Sequence, residues 1–534
     1  MSNGHAARAV LAKDLGIPEV FNAAAHFVDR HVAEGRGGKV AIECGDRRVT
    51  YAEVLDGVNR AGRGLRDSLG VRPEERVALL LRDGPEFACV FFGAMKLGAV
   101  PIPINTLWKA SDCQYVLHDS RARVLVVDEA LLPQVQAIPR DALPHLHAIV
   151  VVGRAPAATV AFADLLQAGS AGLDAEPTSR DAAAFWLYSS GSTGSPKGCV
   201  HLHHDMAICA ELYVRGVLGI TESDRCFSVA KLFFAYGLGN GLYFPFAVGA
   251  TSILWPGPPT AAHVYAVIER HRPTLFYSVP TNYAMLLDCR REPGPDFDLS
   301  SVRLAVSAGE ALPPALFERF ERRFGLRILD GIGSTEMLHI FISNRPGAIR
   351  PGSSGVVVPG YEARLVDDQG GEVAPGEVGH LLIKGDSACT FYWNQHEKTK
   401  STFEGPWTRT GDKYRRDADG FFWHAGRADD MMKVGGLWVS PIEIEQVLIE
   451  HDAVFECAVV GREDRDELTK PVAFVVLRPG TSGTPELAKA LETFVRERLA
   501  DYKRPRWVEF IPELPKTATG KIQRFKLREL RPRV

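Results

Sequence analysis

Short apolar runs alternate with longer amphipathic stretches through roughly the first 350 residues. Val77–Leu81 reads as a buried strand, and Pro85–Lys96 as a helix with Phe87, Val90, Phe91 and Met95 on its packing side. Val100–Ile104, Val124–Asp128 and His147–Val152 read as further strands. Pro101 and Pro103 weaken the first of these, because proline donates nothing to a ladder. Strand, helix and strand in repetition predict a parallel sheet covered by helices, with room for two such halves. Near residue 350 the texture changes. Tyr361–Val366 and Val378–Lys384, with the turn residues Asp367–Gly371 between them, predict a hairpin in a β-rich subdomain over about 350–425. Beyond the Gly-rich, charged stretch Gly426–Gly436, Val454–Val460 and Val472–Leu477 predict strands, and Pro485–Leu499 a helix. The fold class is therefore α/β. A large N-terminal domain, 1–428, holds the αβ-layered subdomains and the small β-rich one. A smaller α+β C-terminal domain, 429–534, follows.

Composition fits this picture. The chain has 534 residues, too many for one core, with 46% hydrophobic and 24% charged residues. Extensive disorder is excluded. The near balance of 62 basic and 65 acidic residues argues against a general nucleic-acid binder. Basic residues nevertheless crowd the stretch from Arg496 to Arg533, either as a solvated tail or as a surface facing polyanions such as nucleotide phosphates. The nine cysteines form no C-x-x-C pair, which points to reduced thiols and not to a disulfide frame or zinc site. Met1–Asp14 lacks the apolar core of a secretory signal, and no apolar run approaches the ~20 residues of a membrane helix. The cytoplasm is the expected location.

One segment changes the reading most. After the strand-like Phe185–Tyr188 comes Ser189–Gly198 (SSGSTGSPKG), and then Met206, Cys209, Ala210, Tyr213, Val214 and Val217 at helical spacing. Gly191, Gly194 and Gly198 let the backbone approach a ligand closely. Ser189, Ser190, Ser192 and Thr193 carry hydroxyl donors, Lys197 adds a positive charge, and Pro196 stiffens the exit. This chemistry suits a polyphosphate. A plain Gly/Ser linker would not need Lys and Pro at these places. The G-x-x-x-x-G-K-[ST] loop of ordinary P-loop ATPases is absent.

With that loop, several further motifs resemble the adenylate-forming superfamily of acyl-CoA synthetases, adenylation domains and firefly luciferase. They occur in the family's order: Gly333-Ser334-Thr335-Glu336, Thr408-Arg409-Thr410-Gly411-Asp412, Gly426-Arg427-Ala428-Asp429-Asp430, and Pro515–Ile522 (PKTATGKI). The resemblance covers nearly the whole chain. Phe233–Asn240 (FFAYGLGN) and Gly333–Asn344 (GSTEMLHIFISN) resemble the bacterial benzoate-CoA ligase group. Many relatives place a His where Phe234 stands, so this position favours the aryl branch.

The resemblance implies roles. Ser190, Gly191, Ser192, Thr193, Gly194 and Lys197 would grip the ATP phosphates. Gly309, Glu310, Asp330, Gly331 and Ile332 would flank adenine, and Asp412 and Arg427 would meet the ribose. Thr335 would contact the α-phosphate, and Glu336 would help hold Mg²⁺, whose preference for hard oxygen suits a carboxylate. Lys521 would be the catalytic lysine of the first half-reaction. Phe234, Ala235, Tyr236, Gly333, His339 and Ile340 would form the acid pocket, apolar with small residues leaving a slot. Asp429 would be the hinge of a mobile C-terminal domain, and Lys433, Gly435 and Gly436 would line the pantetheine channel of CoA. Each has a blander reading: a helix-capping Thr335-Glu336 pair, a turn aspartate at Asp412, ordinary core for any one pocket aromatic, one more tail lysine at Lys521.

The implied reaction is benzoate + ATP + CoA to benzoyl-CoA, AMP and diphosphate. Its alternatives are a hydroxy-, amino- or fluorobenzoate, transfer to a carrier protein, or an inactive nucleotide-binding sensor. Against carrier loading, no carrier-like segment follows Val534. Small-molecule substrates are expected, with no nucleic-acid or membrane partner, and a homodimer is kept as a candidate assembly.

Overall fold

A computed structural model of the chain describes residues 8–169, 172–189, 196–291, 296–428, 430–434, 437–464, 468–516 and 522–530. Two αβ-layered halves precede residue 350, as the pattern allowed. In one, strands Val100–Pro103, Arg76–Leu80, Val124–Asp128, Ala148–Val152 and Val160–Ala161 lie side by side and parallel. The two prolines are accommodated because the strand is at the sheet edge. Val100 N and Ile104 N donate to Glu75 O and Leu79 O, which leaves Pro101 and Pro103 at positions whose missing N–H the ladder does not need.

The second sheet has nine strands. Ile328–Gly333, Leu304–Ser307, Leu275–Ser278, Arg225–Ser228, Thr251–Leu254 and Val40–Cys44 run parallel in that order, with antiparallel strands at both edges. Helix Tyr51–Arg63 starts on a capping box between Thr50 and Glu53. It crosses helix Pro85–Lys96 at two glycines, where a Cβ on Gly93 would stand 2.8 Å from Val58 O and one on Gly62 2.8 Å from Gly93 O. The buried Lys96 is paired there with Asp29 at 2.5 Å and donates to Asn59 Oδ1 at 2.7 Å.

The β-rich subdomain is an antiparallel sheet of Glu362–Val366, Val378–Lys384, Trp407–Arg416, Phe403–Glu404 and Phe422–Arg427. The expected hairpin is its first pair. The smaller C-terminal domain pairs Val454–Glu463 with Thr469–Leu477, and Trp507–Phe510 adds in parallel. Helices Pro441–Ile449 and Pro485–Arg496 cover this sheet, the latter ending three residues before the expected limit. Neither reading of the basic C-terminal stretch is complete. Lys503, Arg504 and Arg524 are within 2.9 Å of Glu443, Glu492 and Glu445, and Arg528 meets Asp430. Much of the local positive charge is thus neutralised inside the domain. No helix among the described residues is long and apolar enough to cross a membrane.

Among the buried histidines are His31, His203 and His339. Burial lowers their pKa from 6.5 to about 4, about 4 and about 3. The neutral rings are used as acceptors, His31 Nδ1 from Arg36 Nε at 2.9 Å and His203 Nδ1 from Ala23 N at 3.1 Å. Unfolding restores the ordinary value, so the unfolded chain binds more protons once the pH falls below about 6.5. The stability these rings contribute is full above that pH and is lost toward pH 4, at about 1.4 kcal/mol per pH unit for each. The urea midpoint is expected to fall between pH 7 and pH 5; a flat midpoint across that range would contradict this.

Candidate functional site

The strand Ala183–Ser189 leads into the Gly/Ser/Thr loop and Lys197–Leu202 leads out as its antiparallel partner, with Ser189 opposite Lys197. The return strand was not expected; the helix begins only at Asp205. Gly198 to His201 are all buried, so the strand shows no polar–apolar alternation to read. Ser190, Gly191, Ser192, Thr193 and Gly194 lie outside the described residues, as do Asp429, Gly435, Gly436 and Lys521. Lys433 sits on the strand Met432–Val434, which pairs with Leu437–Val439.

A strap, residues 387–393, joins that return strand to the turn at 334–338. On one side Thr390 N donates to Val200 O at 2.9 Å, Val200 N to Phe391 O at 3.1 Å and Trp393 N to Gly198 O at 2.8 Å. On the other, Cys389 N donates to Glu336 O at 2.7 Å and Ser387 Oγ to Met337 O at 2.9 Å. Tyr392 reaches both sides. Its hydroxyl donates to Glu336 Oε1 at 2.6 Å, and its ring centroid is 4.6 Å from the Lys197 ammonium. Burial, then the Glu336 charge, push the Tyr392 phenol far up, so it stays a donor. His201 ties the turn again, bonding Thr335 O through Nε2 at 2.8 Å and Asp205 Oδ2 through Nδ1 at 2.7 Å.

Lys197, Thr335 and Glu336 are therefore brought together. Among the described residues, no group of three or more His, Cys, Asp or Glu is placed to hold a metal alone. A Mg²⁺ ion fits Glu336 nonetheless, because among the described residues only Oε1 is engaged and Mg²⁺ takes most of its ligands from phosphates and water.

Asp412 and Arg427 are cross-strand partners, and Arg427 Nη1 lies 3.2 Å from Asp412 Oδ1. Gly411 takes a φ of +79°, and a Cβ there would stand 2.8 Å from Arg427 Nη2. Their sheet is linked to Asp330: Tyr414 Oη and Ser354 Oγ lie 3.1 Å apart, and Asn344 Nδ2 donates to Ser353 O and Asp330 O. Asp330 is buried, Oδ1 lacks a partner among the described residues, and burial pushes its carboxyl well above the ordinary range. Such an orphaned polar atom costs roughly 1–3 kcal/mol. Gly331 and Ile332 continue the same strand. Gly309 turns the chain after Leu304–Ser307 with a φ of +90°, and Glu310 accepts from Thr281 Oγ1 at 2.9 Å.

The acid-pocket residues divide into a half-buried set, Phe234, Tyr236 and Gly333, and a buried set behind them, Ala235, His339 and Ile340. The ring centroids of Tyr236 and His339 are 5.5 Å apart, and Phe244 approaches His339 to 4.3 Å. His339 Nε2 lies 3.2 Å from Asn240 Oδ1. His339 stays neutral, so the set carries no charge. A separate cavity of about 610 Å³ opens at Leu81–Gly84 and Asp128–Ala130, but its Arg47 and Arg82 are tied to Glu86 and Asp128.

Sequence reasoning missed Tyr392, His201, Asp205 and Asn240. The only signal at Tyr392 is the run Phe391-Tyr392-Trp393 in a polar stretch; at His201 it is the four-residue spacing to Asp205.

Residues 29–393 match the AMP-binding enzyme family, and residues 443–521 match the AMP-binding enzyme C-terminal domain. The chain belongs to the AMP-binding enzyme family. It is 52% identical over 516 residues, 96% of each chain, to the benzoate–CoA ligase of Thauera aromatica. Its structure is similar to that of the anthranilate CoA ligase AuaEII in complex with anthranoyl-AMP, with a TM-score of 0.93 and 48% identity over 97% of this chain and 98% of that one. A benzoate CoA ligase from Burkholderia xenovorans matches with a TM-score of 0.87 and 47% identity over 95% and 100%. The α/β architecture, with a large N-terminal and a small C-terminal domain, is that of these ligases.

A Cβ on Gly239 would stand 2.5 Å from His339 Cδ2. Gly239→Ala is therefore expected to displace His339 and raise the KM for the acid about tenfold, from overpacking of about 1–3 kcal/mol. The KM for ATP should change less than about twofold. Equal changes in both would show that His339 does not face the acid.

Proposed function

We propose that the chain is an AMP-forming benzoate–CoA ligase, converting benzoate, ATP and CoA to benzoyl-CoA, AMP and diphosphate through benzoyl-adenylate. The reading is carried by the likeness over nearly the full length to the Thauera aromatica ligase. The uncharged, aromatic surroundings of Tyr236 and His339 support it, since they offer no charged partner to a substrate amine or second carboxylate. An amino-substituted benzoate is the second reading, favoured by the likeness to the anthranilate ligase.

In this reading the loop 190–194 and Lys197 grip the polyphosphate. Asp330–Ile332 and Gly309–Glu310 flank adenine, and the orphaned Asp330 Oδ1 supplies an acceptor for its amino group. Asp412 and Arg427 meet the ribose. Thr335 faces the α-phosphate, and Glu336 contributes an oxygen to Mg²⁺, which neutralises phosphate charge when bound. Lys521 bridges the acid and the α-phosphate. A benzoate oxygen attacks the α-phosphorus while the bond to diphosphate breaks. The C-terminal domain, 429–534, then turns about Asp429 and withdraws Lys521. Asp430, beside that hinge, is held by Arg528 and lies 3.7 Å from Arg524, so it moves with the smaller domain. Lys433, Gly435 and Gly436 line the path of the pantetheine arm. The thiol sulfur attacks the acyl carbon, its proton passes to solvent, and AMP leaves. The cytoplasm, where ATP and CoA are available, is the proposed location.

Lys521→Ala is expected to slow adenylation at least about a hundredfold while sparing thioester formation from supplied benzoyl-AMP. Equal loss in both halves would remove Lys521 from the assigned role. AMP release measured with benzoate, aminobenzoates, hydroxybenzoates, fluorobenzoates and aliphatic acids should be greatest for benzoate; a larger kcat/KM for 2-aminobenzoate would favour the second reading.

A further inference from the structure

We infer that Tyr392 is a positioning residue that holds the Lys197 ammonium and the Glu336 carboxylate apart and aimed at the same polyphosphate, resting on the reading of those two as ATP contacts. Lys197 and Glu336 carry opposite charges at one site, yet no ion pair joins them. Tyr392 takes each on a different part of one ring system. The hydroxyl occupies Glu336 Oε1 at 2.6 Å, and the π-face attracts Lys197 from 4.6 Å. Without that ring, a direct Lys197–Glu336 pair would consume the charge each offers to the phosphates and to Mg²⁺.

Tyr392 is itself fixed, as positioning requires. It is 2% exposed and packs against Phe403, Cys199 and Cys389. Tyr392 N donates to Thr399 Oγ1 at 3.1 Å, and its backbone pairs with Cys199 on the return strand. Cys389, three residues earlier, is bonded to Glu336 O. The hydroxyl therefore approaches Glu336 from a backbone already registered to both the return strand and the turn. Phe at this position keeps the ring, its packing and the cation–π contact, and removes the hydroxyl with its bonds to Glu336 and Thr402.

The test is ATP binding by calorimetry on the full chain, with Mg²⁺ and with EDTA. Tyr392→Phe is expected to reduce the gain in ATP affinity on adding Mg²⁺ about tenfold, the size of a charge-assisted hydrogen bond. Its affinity in EDTA should stay within about twofold. Tyr392→Leu, which also removes the ring face, should weaken binding in EDTA several-fold. Glu336→Gln separates the two levels of the claim. If it loses the Mg²⁺-dependent gain while Tyr392→Phe keeps it in full, the role of Tyr392 is overturned and that of Glu336 stands. If Glu336→Gln keeps the gain, Glu336 is not the metal carboxylate, and both fall.

Discussion

The arrangement of the candidate site depends on the strap at residues 387–393. It lies between the return strand of the phosphate loop and the turn at Thr335–Glu336 and bonds its backbone to both. The return strand pairs with Ala183–Ser189, a two-stranded unit outside the nine-stranded sheet, whereas the turn follows Ile328–Gly333 at the end of that sheet's parallel run. Two elements from different layers are held in register by a third, which runs between the strands Val378–Lys384 and Phe403–Glu404 of the β-rich subdomain and is shared between them. The buried His201–Asp205 pair adds a second tie, anchoring the Thr335 carbonyl from the return strand.

This constraint explains why the subdomains divide the work. The nine-stranded sheet brings Gly309, Asp330–Ile332 and Gly333 to the ends of adjacent parallel strands, where ligands of open α/β sheets commonly bind. The β-rich sheet supplies Asp412 and Arg427 and is joined to Asp330 through Tyr414, Ser354, Ser353 and Asn344. Polar connections thus run from Asp330 to the sheet that carries Asp412 and Arg427. The smaller domain stands apart in its energetics. Its basic residues are largely paired with its own carboxylates. Apolar packing beneath Pro441–Ile449 and Pro485–Arg496 holds it together, and these pairs neutralise its charge locally.

Much of this was legible in the chain. Long apolar strands such as Val124–Asp128 and the helix Pro85–Lys96 carry their own periodicity, and their limits coincide with those read from the pattern. The loop and the turn announce themselves by composition, since glycines, hydroxyls and a fixed lysine have few other uses in combination. What was not legible is contact between distant segments. Nothing near Tyr392 says that its hydroxyl meets a carboxylate 56 residues away. The return strand was hidden because it is buried on both faces. Nor does the charge count near the C-terminus reveal which carboxylates neutralise it, because Glu443, Glu445 and Glu492 come from other elements.

The proposed function requires attack of a carboxylate on the α-phosphate of ATP. Oxygen transfer tests it most directly: benzoate labelled with ¹⁸O in both carboxylate positions is turned over with ATP and CoA, and the products are read by mass spectrometry. One ¹⁸O atom is expected in each AMP released and none in diphosphate. Label-free AMP, or label in orthophosphate with ADP as the nucleotide product, would contradict it.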